Sequence, residues 1–231
     1  MNVIIPVYSI NDCFVNMTEN AIESIRPEHL IIIDNASPVG GGQLREWADT
    51  YVRNKENLGY AKAVNQGLKL SPTAELIAIC NNDIRVSPDW EPIAKEIMKD
   101  LSIMSLHFTM LPYDQPFNLG DKIWKTGKER WCTGSFFVMR NSGLFDENFV
   151  NSYDDWDIHY RMYQKGFKTA YTNKVQYQHM NSFTQIMIPQ REEQDKKNRE
   201  YFIQKHGDTP ENLWMKMFPD QMDQDYQGGF E

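Results

Sequence analysis

Cysteine is scarce in this chain of 231 residues: Cys13, Cys80 and Cys132 stand far apart. No CxxC and no Cys/His zinc spacing occurs, so a disulfide framework and a zinc module are excluded, and reduced, mostly buried thiols are expected. Long apolar runs are missing too, and the longest falls far short of the about 18 residues that span a bilayer. Positive charge is not in excess. Lys and Arg number 24 against 32 Asp and Glu, a net charge of −8, which argues against a broad grip on nucleic acid. Repeats and low-complexity blocks are absent. The N-terminus also lacks the basic and apolar regions of a signal peptide, which predicts a cytoplasmic protein with no integral membrane association.

What is present is a core. With 41% hydrophobic and 13% aromatic residues, the chain can fold as one large domain, or one domain with an appendage. Asn2 to Val7 reads as a first strand. A helix over Asn16 to Ser24 follows, with Thr18 as a candidate cap. Leu30 to Ile33 is a buried strand that ends in Asp34-Asn35. Gln43 to Thr50 reads as a helix, Tyr51 to Arg53 as a brief strand, and Ala61 to Leu70 as a helix. Leu76 to Cys80 is a strand running into Asn81-Asn82-Asp83. Short apolar runs bounded by polar residues suit strands buried on both faces, and their alternation with helices predicts an α/β fold on a mostly parallel sheet.

Further along, Trp90 to Asp100 reads as a helix and Ser102 to Asp121 as irregular. Residues 131–140 are mixed, Asp154 to Lys165 is helical, and Lys168 to Tyr177 is strand-like. The charged run from Arg191 to Arg199 predicts a solvated helix, and the last dozen residues a tail.

Three strand ends carry polar groups: Pro6 to Ser9, Asp34 to Ser37, and Asn81 to Asp83. Open α/β sheets bind ligands beyond the carboxyl ends of their strands. A turn or a helix cap explains each end singly; the three together point to a nucleotide crevice. There Asp83 is a hard-oxygen ligand suited to Mg²⁺ or Mn²⁺. The helix start at Asn57-Leu58-Gly59, with Lys62, favours negative charge. Tyr153 to Arg161 packs Asp154, Asp155 and Asp157 into one helix start. Those acids either complement the helix dipole or include a proton acceptor. Asp157 and Arg161 stand four apart and are expected to pair.

In this order the pieces resemble the family 2 glycosyltransferases with a GT-A fold, over roughly residues 2 to 180. The resemblance rests on Val-Ile-Ile-Pro-Val-Tyr-Ser, Ile-Ile-Asp-Asn-Ala-Ser, Asn57-Leu58-Gly59 with Asn65, and Asn-Asn-Asp as counterpart of the DXD motif. It continues with Thr133-Gly134-Ser135, Asp-Asp-x-Asp-x-x-x-Arg, Gly166 and the later His. It implies a GT-A catalytic domain over 1–180, with a nucleotide-sugar half (1–100) and an acceptor half (101–180), then a polar helical extension and tail over 181–231.

The resemblance also assigns roles. Pro6, Tyr8 and Asp34 would line the nucleoside pocket, Asp34 accepting from the base. Asn57, Gly59, Lys62 and Asn65 would lie along ribose and diphosphate. Asn82 and Asp83 would face the sugar-nucleotide, with Asp83 and His179 holding Mn²⁺ or Mg²⁺. Gly134, Ser135 and Asp154 would bound the acceptor side, and Asp155 would be the general base. The implied reaction is inverting transfer from a UDP-linked or other nucleotide-diphosphate sugar to a hydroxyl on a saccharide, lipid-linked sugar or other glycoconjugate.

The chain departs from the pattern at Asn81, where the motif has an acid, at Asp154-Asp155 in place of Glu-Asp, and at Asp34-Asn35 in place of two acids. Hydroxymethylated DNA as acceptor, for a phage-encoded rather than bacterial enzyme, and a non-catalytic nucleotide-sugar scaffold are the alternatives. A nucleotidyltransferase would carry a glycine-rich basic loop after the first strand, and Tyr8 to Asp12 supplies neither glycine nor base. Trp124, Trp131 and Trp156 are candidates to stack on sugars or to fill the core.

Overall fold

The computed structural model describes residues 1–125, 134–141, 143–180 and 191–217. Trp131, Cys132, Thr133 and the expected tail lie outside them.

The chain opens with β1 (Asn2–Val7), α1 (Asp12–Ile25), β2 (His29–Asp34), α2 (Gly41–Trp47), β3 (Thr50–Arg53), α3 (Tyr60–Lys69) and β4 (Leu76–Cys80). Then come β5 (Ile84–Val86), α4 (Trp90–Ile97), β6 (Ile103–Pro112), β7 (Ile123–Lys125), β8 (Phe136–Arg140), α5 (Asp154–Gln164) and β9 (Lys168–His179). Helices α6 (Arg191–His206) and α7 (Pro210–Met217) follow. The strands form one sheet in the order β3-β2-β1-β4-β8-β6-β9-β5, with β7 on β9. β1, β2, β3, β4, β6 and β9 point one way and β5, β7 and β8 the other, so the expected mostly parallel sheet is what forms.

Beginning at β1, the chain winds outward to β3 and then returns to β4 on the other side of β1. That reversal is a topological switch point, where the two βα connections diverge and leave a crevice beyond the strand ends. Residues alternate across the sheet to fill two core layers. Val3, Ile5, Leu30 and Ile32 pack under α1, α2 and α4 with Ala21, Leu44 and Ala94. Ile4, Ile31, Ile33 and Ile79 pack under α3 and α5 with Val64, Leu68 and Ile158. α3 sits close because Gly67 lacks a Cβ: one built there would lie 2.5 Å from Ile4 Cγ2.

Two elements depart most from the sequence expectation, beside the unanticipated short strands β5 and β7 and an α2 that ends before Thr50. α1 starts four residues early because Asn11, not Thr18, caps it, its Oδ1 accepting from Phe14 N at 3.3 Å. Thr18 is buried mid-helix and donates to Phe14 O. Of the stretch from Ser102 to Asp121 expected to be irregular, Ile103–Pro112 forms the ten-residue central strand β6, and residues 113–121 are irregular as expected. Inward polar side chains disguise the strand: Ser105 meets Thr169, His107 meets His159, and Thr109 accepts from Tyr171. Buried polar groups that find partners cost little, so a strand can carry them.

The first two turns of α6 are solvated, as their charges suggest, but Asn198 and Phe202 turn inward. Phe202 and Leu213 close over Phe149, and Trp214 packs on Trp156 at 5.2 Å. Asp157, fully buried, pairs with Arg161 as expected and also receives Lys205 and His206 from α6.

Candidate active site

The crevice at the switch point begins where β1 and β2 end side by side, Val7 opposite Asp34. Ser9 N donates to Ser37 Oγ and Val39 N to Ser9 O, which zips the two strand-end loops together. Pro6 and Tyr8 are half-buried here. Asp34 does not present the free carboxylate expected for a base edge. Its side chain is 0% exposed; Oδ1 accepts from Ser37 N, and Oδ2 accepts from Tyr51 OH at 2.6 Å and from Arg53. The reason is the parallel register, which sets Arg53 directly beside Asp34. Arg53, its side chain 45% exposed, therefore presents the cationic surface at this corner. Sequence reasoning took Tyr51 and Arg53 only as a strand; the acid on one strand end and the base on the next were the available signal.

The Asn57–Gly59 turn sits beside it. Asn57 Oδ1 accepts from Gly59 N, and Asn35 holds the turn by donating to Gly59 O. Gly59, with φ 84° and ψ 172°, occupies a backbone region essentially reserved for glycine. Lys62 is exposed in the first turn of α3. Asn65 is turned away from the crevice. Its Nδ2 donates to Phe145 O and Glu147 Oε1, and its Oδ1 accepts from Phe145 N at 2.8 Å, so it clasps a backbone peptide rather than facing a ribose.

Beyond the end of β4, the Asn81–Asp83 turn leads into β5, and its side-chain partners show which residue faces the crevice. Asn81 and Asp83 share one side, and Asn82 points the other way and donates to Thr18 Oγ1 in the buried layer. The expected role of Asn82 toward the sugar-nucleotide is corrected accordingly. Asp83 Oδ1 lies 3.1 Å from His179 Nε2, and Asn81 Nδ2 lies 3.5 Å from the same nitrogen. Asp83 and His179 are brought together because Ile84 pairs with His179 across β5 and β9. One carboxylate, one imidazole and an adjacent amide form an oxygen and nitrogen donor set that suits a divalent cation sharing substrate phosphates. Among the described residues no group of three His, Cys, Asp or Glu forms a complete protein cage.

Across the crevice, α5 begins at Tyr153, held left-handed at φ 66°. Asp155 accepts from Gly134 N through Oδ2 and from Trp156 N through Oδ1. Gly134 O in turn accepts from Tyr60 OH at 2.6 Å, and Ser135 O accepts from Asn81 N. The Gly134-Ser135 segment thus ties the end of β4, the start of α3 and the start of α5 into one frame. A Cβ at residue 134 would stand 3.2 Å from Asp155 Oδ2, a tight contact that the carboxylate would have to yield to. Ser135 Oγ is buried against Tyr177 OH.

Burial strips water from both acids at this helix start and raises the pKa of Asp155. The pKa of Asp154 is raised by burial and, next, by repulsion from Asp155. Asp154 is buried with one oxygen, Oδ2, lacking a partner among the described residues. Burial likewise lowers His159 to about 4, so its ring is neutral. Its Nδ1 donates to Asp155 O, which leaves Nε2 to accept from His107 Nε2 at 2.8 Å. No spacing rule could have revealed this buried relay, because β6 supplies one half of it.

The raised acids carry a consequence for stability. Between the ordinary carboxylate value and the raised one the folded state binds more protons, so stability falls as pH rises through that window. Asp154→Asn is expected to raise Tm by a few degrees at about pH 9 and to leave it unchanged near about pH 3, below both values. Calorimetric scans at the two pH values check this.

Residues 2–145 match the family described as Glycosyl transferase family 2. Among solved structures, GalNAc-T7 with UDP, GalNAc and Mn²⁺ aligns at 15% identity and TM-score 0.61, over 77% of this chain and 42% of that one. The chain therefore spans less than half the length of that relative. S. aureus TarS 1-349 in complex with UDP aligns at 13% identity and TM-score 0.62, over 91% of this chain and 73% of that one. At such identities the likeness is one of fold. No curated protein matches the sequence.

Proposed function

The chain belongs to glycosyl transferase family 2, and from that premise we propose that it is a metal-dependent, inverting enzyme that moves a sugar from a UDP-sugar to an acceptor hydroxyl. The observation that carries this reading is the single frame in which the Gly134-Ser135 backbone joins Asp155 to the Asn81–Asp83 turn. A proton acceptor and a diphosphate-binding acid then face each other across a crevice at the sheet's switch point. UDP in the two aligned structures supports the choice of nucleotide.

In this mechanism the donor's nucleoside enters between Pro6, Tyr8 and the Arg53 corner, with its diphosphate toward Lys62 and the start of α3. Asp83 and His179, with Asn81 beside them, would hold the Mn²⁺ or Mg²⁺. Bound there, the cation would offset negative charge on the departing diphosphate. Asp155, its pKa raised by burial, accepts the proton of the acceptor hydroxyl. The freed oxygen forms its bond to the anomeric carbon as the bond to the diphosphate oxygen breaks, its electron pair leaving with UDP. Attack opposite the leaving group inverts the anomeric centre. Holding both substrates in one frame supplies much of the acceleration. In this reading the acceptor is a saccharide or other glycoconjugate; among the described residues no helix is long and apolar enough to cross a membrane.

Calorimetric titration of UDP, GDP and dTDP in Mn²⁺ tests the donor class. UDP is expected to bind at least about tenfold more tightly than the others, about 1.4 kcal/mol. Equal affinities, or no binding, would remove the nucleotide assignment.

A further inference from the structure

The loop that delivers Asp155 is strained. Between Phe149 and α5 the chain runs Val150-Asn151-Ser152-Tyr153, and two of these non-glycine residues are left-handed: Asn151 at φ 59° and Tyr153 at φ 66°. Asparagine tolerates that region; tyrosine, with its bulky ring, does not. Such a backbone persists only where its surroundings over-determine it. The loop also touches both substrate sides of the crevice. Asn151 Oδ1 accepts from Tyr60 N at the start of α3, and Tyr153 leads directly into Asp154-Asp155.

What holds this loop comes from α6. Asn198 is 2% exposed. Its Nδ2 donates to Val150 O at 2.8 Å, Ser152 O at 3.1 Å and Ser152 Oγ at 2.7 Å. Its Oδ1 accepts from Val150 N and from Gln194 Nε2. Ser152 Oγ then donates to Asp195 Oδ1 at 2.6 Å. One turn further along α6, Phe202 packs against both Phe149 and Tyr153, the residues that flank the loop. The strained backbone is therefore gripped at Val150 and Ser152, on either side of Asn151 and just before Tyr153.

We propose that Asn198 is a positioning residue for the catalytic base, fixing the 150–153 loop so that Asp155 stays against Gly134 and facing the crevice. It does so from a helix beyond the family match at 2–145, in a stretch whose composition reads as solvent-facing charge. The proposal rests on the reading of Asp155 as the base. If Asn198 only glued α6 to the domain, its loss would lower the melting temperature and leave the chemistry of each folded molecule alone. If it positions the base, loosening the loop admits water to the acids, and their pKa values drop toward the ordinary carboxylate range. Among the described residues the titratable groups that bear on Asp155 are Asp154, Tyr60, Tyr153 and the neutral His159, and Asp157 bears on Asp154.

The test uses the full chain as wild type, Asn198→Ala, the milder Ser152→Ala, and Asp155→Asn. Carboxyl titrations are followed by NMR on protein labelled with ¹³C-aspartate, and UDP release is measured from UDP-glucose, UDP-galactose, UDP-GlcNAc and UDP-GalNAc. Asn198→Ala is expected to move the Asp154–Asp155 titration to lower pH and to lower kcat by about 10- to 100-fold, with KM for the donor changed far less. Ser152→Ala is expected to shift both readouts in the same direction by less, and it decides the matter should Asn198→Ala fail to fold. Wild-type titration and kcat in the folded variants, beside an inactive Asp155→Asn, would overturn the positioning role alone. Turnover undiminished in Asp155→Asn would overturn the base assignment and this proposal with it.

Discussion

Asp155→Asn is expected to lower UDP-sugar turnover by about three orders of magnitude while leaving UDP affinity within about twofold. The size follows from what the substitution removes. Both oxygens of Asp155 already accept backbone N–H groups, from Gly134 and Trp156, so the side chain is held before any substrate arrives. An amide keeps the volume but cannot take a proton, and its NH₂ must oppose one of those two donors. Nucleotide binding should survive, because the proposed nucleoside corner and the Asp83–His179 pair are built from other elements. The pH profile gives a second readout. Burial raises the Asp155 pKa, and the base works only when deprotonated. Wild-type turnover is therefore lost as pH falls through a value above the ordinary carboxylate range, and the residual rate of the variant should lack that limb.

The second large effect is expected at Asp83. Asp83→Ala should weaken Mn²⁺-dependent UDP binding by about 100-fold or more, about 2.7 kcal/mol, measured calorimetrically with Mn²⁺ and with a chelator. Only His179 and the Asn81 amide then remain from the pair and its neighbour, and a lone imidazole is a weak anchor for a hard cation. The adjacent position supplies the contrast. Asn82→Ala, which removes a bond to Thr18 in the buried layer, should cost stability, about 1 kcal/mol, and leave nucleotide affinity nearly unchanged. A sequence motif treats positions 81 to 83 as one unit; the turn between β4 and β5 divides them, Asn82 bonding to Thr18 and Asp83 lying beside His179.

That division shows how much was legible beforehand. The strands β1, β2 and β4 could be read because each is an apolar run cut off by polar residues, and their shared edge followed from α/β topology. Strand β6 could not, since Ser105, His107 and Thr109 break its pattern and find their partners on β9 and α5. Candidate residues were visible by type but not by direction. Asp34 looked like a base-reading carboxylate until the register with β3 placed Arg53 on it. Asn65 looked like a phosphate neighbour until the chain returned Phe145 to its amide. Asn198 was hidden in a charged run, because the loop it grips is about fifty residues away and carries no apolar signal.

One measurement tests the central claim most directly: ¹H NMR of a UDP-α-sugar incubated with the wild-type chain and Mn²⁺, following the anomeric proton of the product as it first appears. The account predicts release of UDP together with a β-configured product, and neither in Asp155→Asn. A product that keeps the α configuration would contradict the inverting mechanism. UDP-sugars that stay intact while UDP itself binds would contradict the assignment of this crevice as a site of glycosyl transfer.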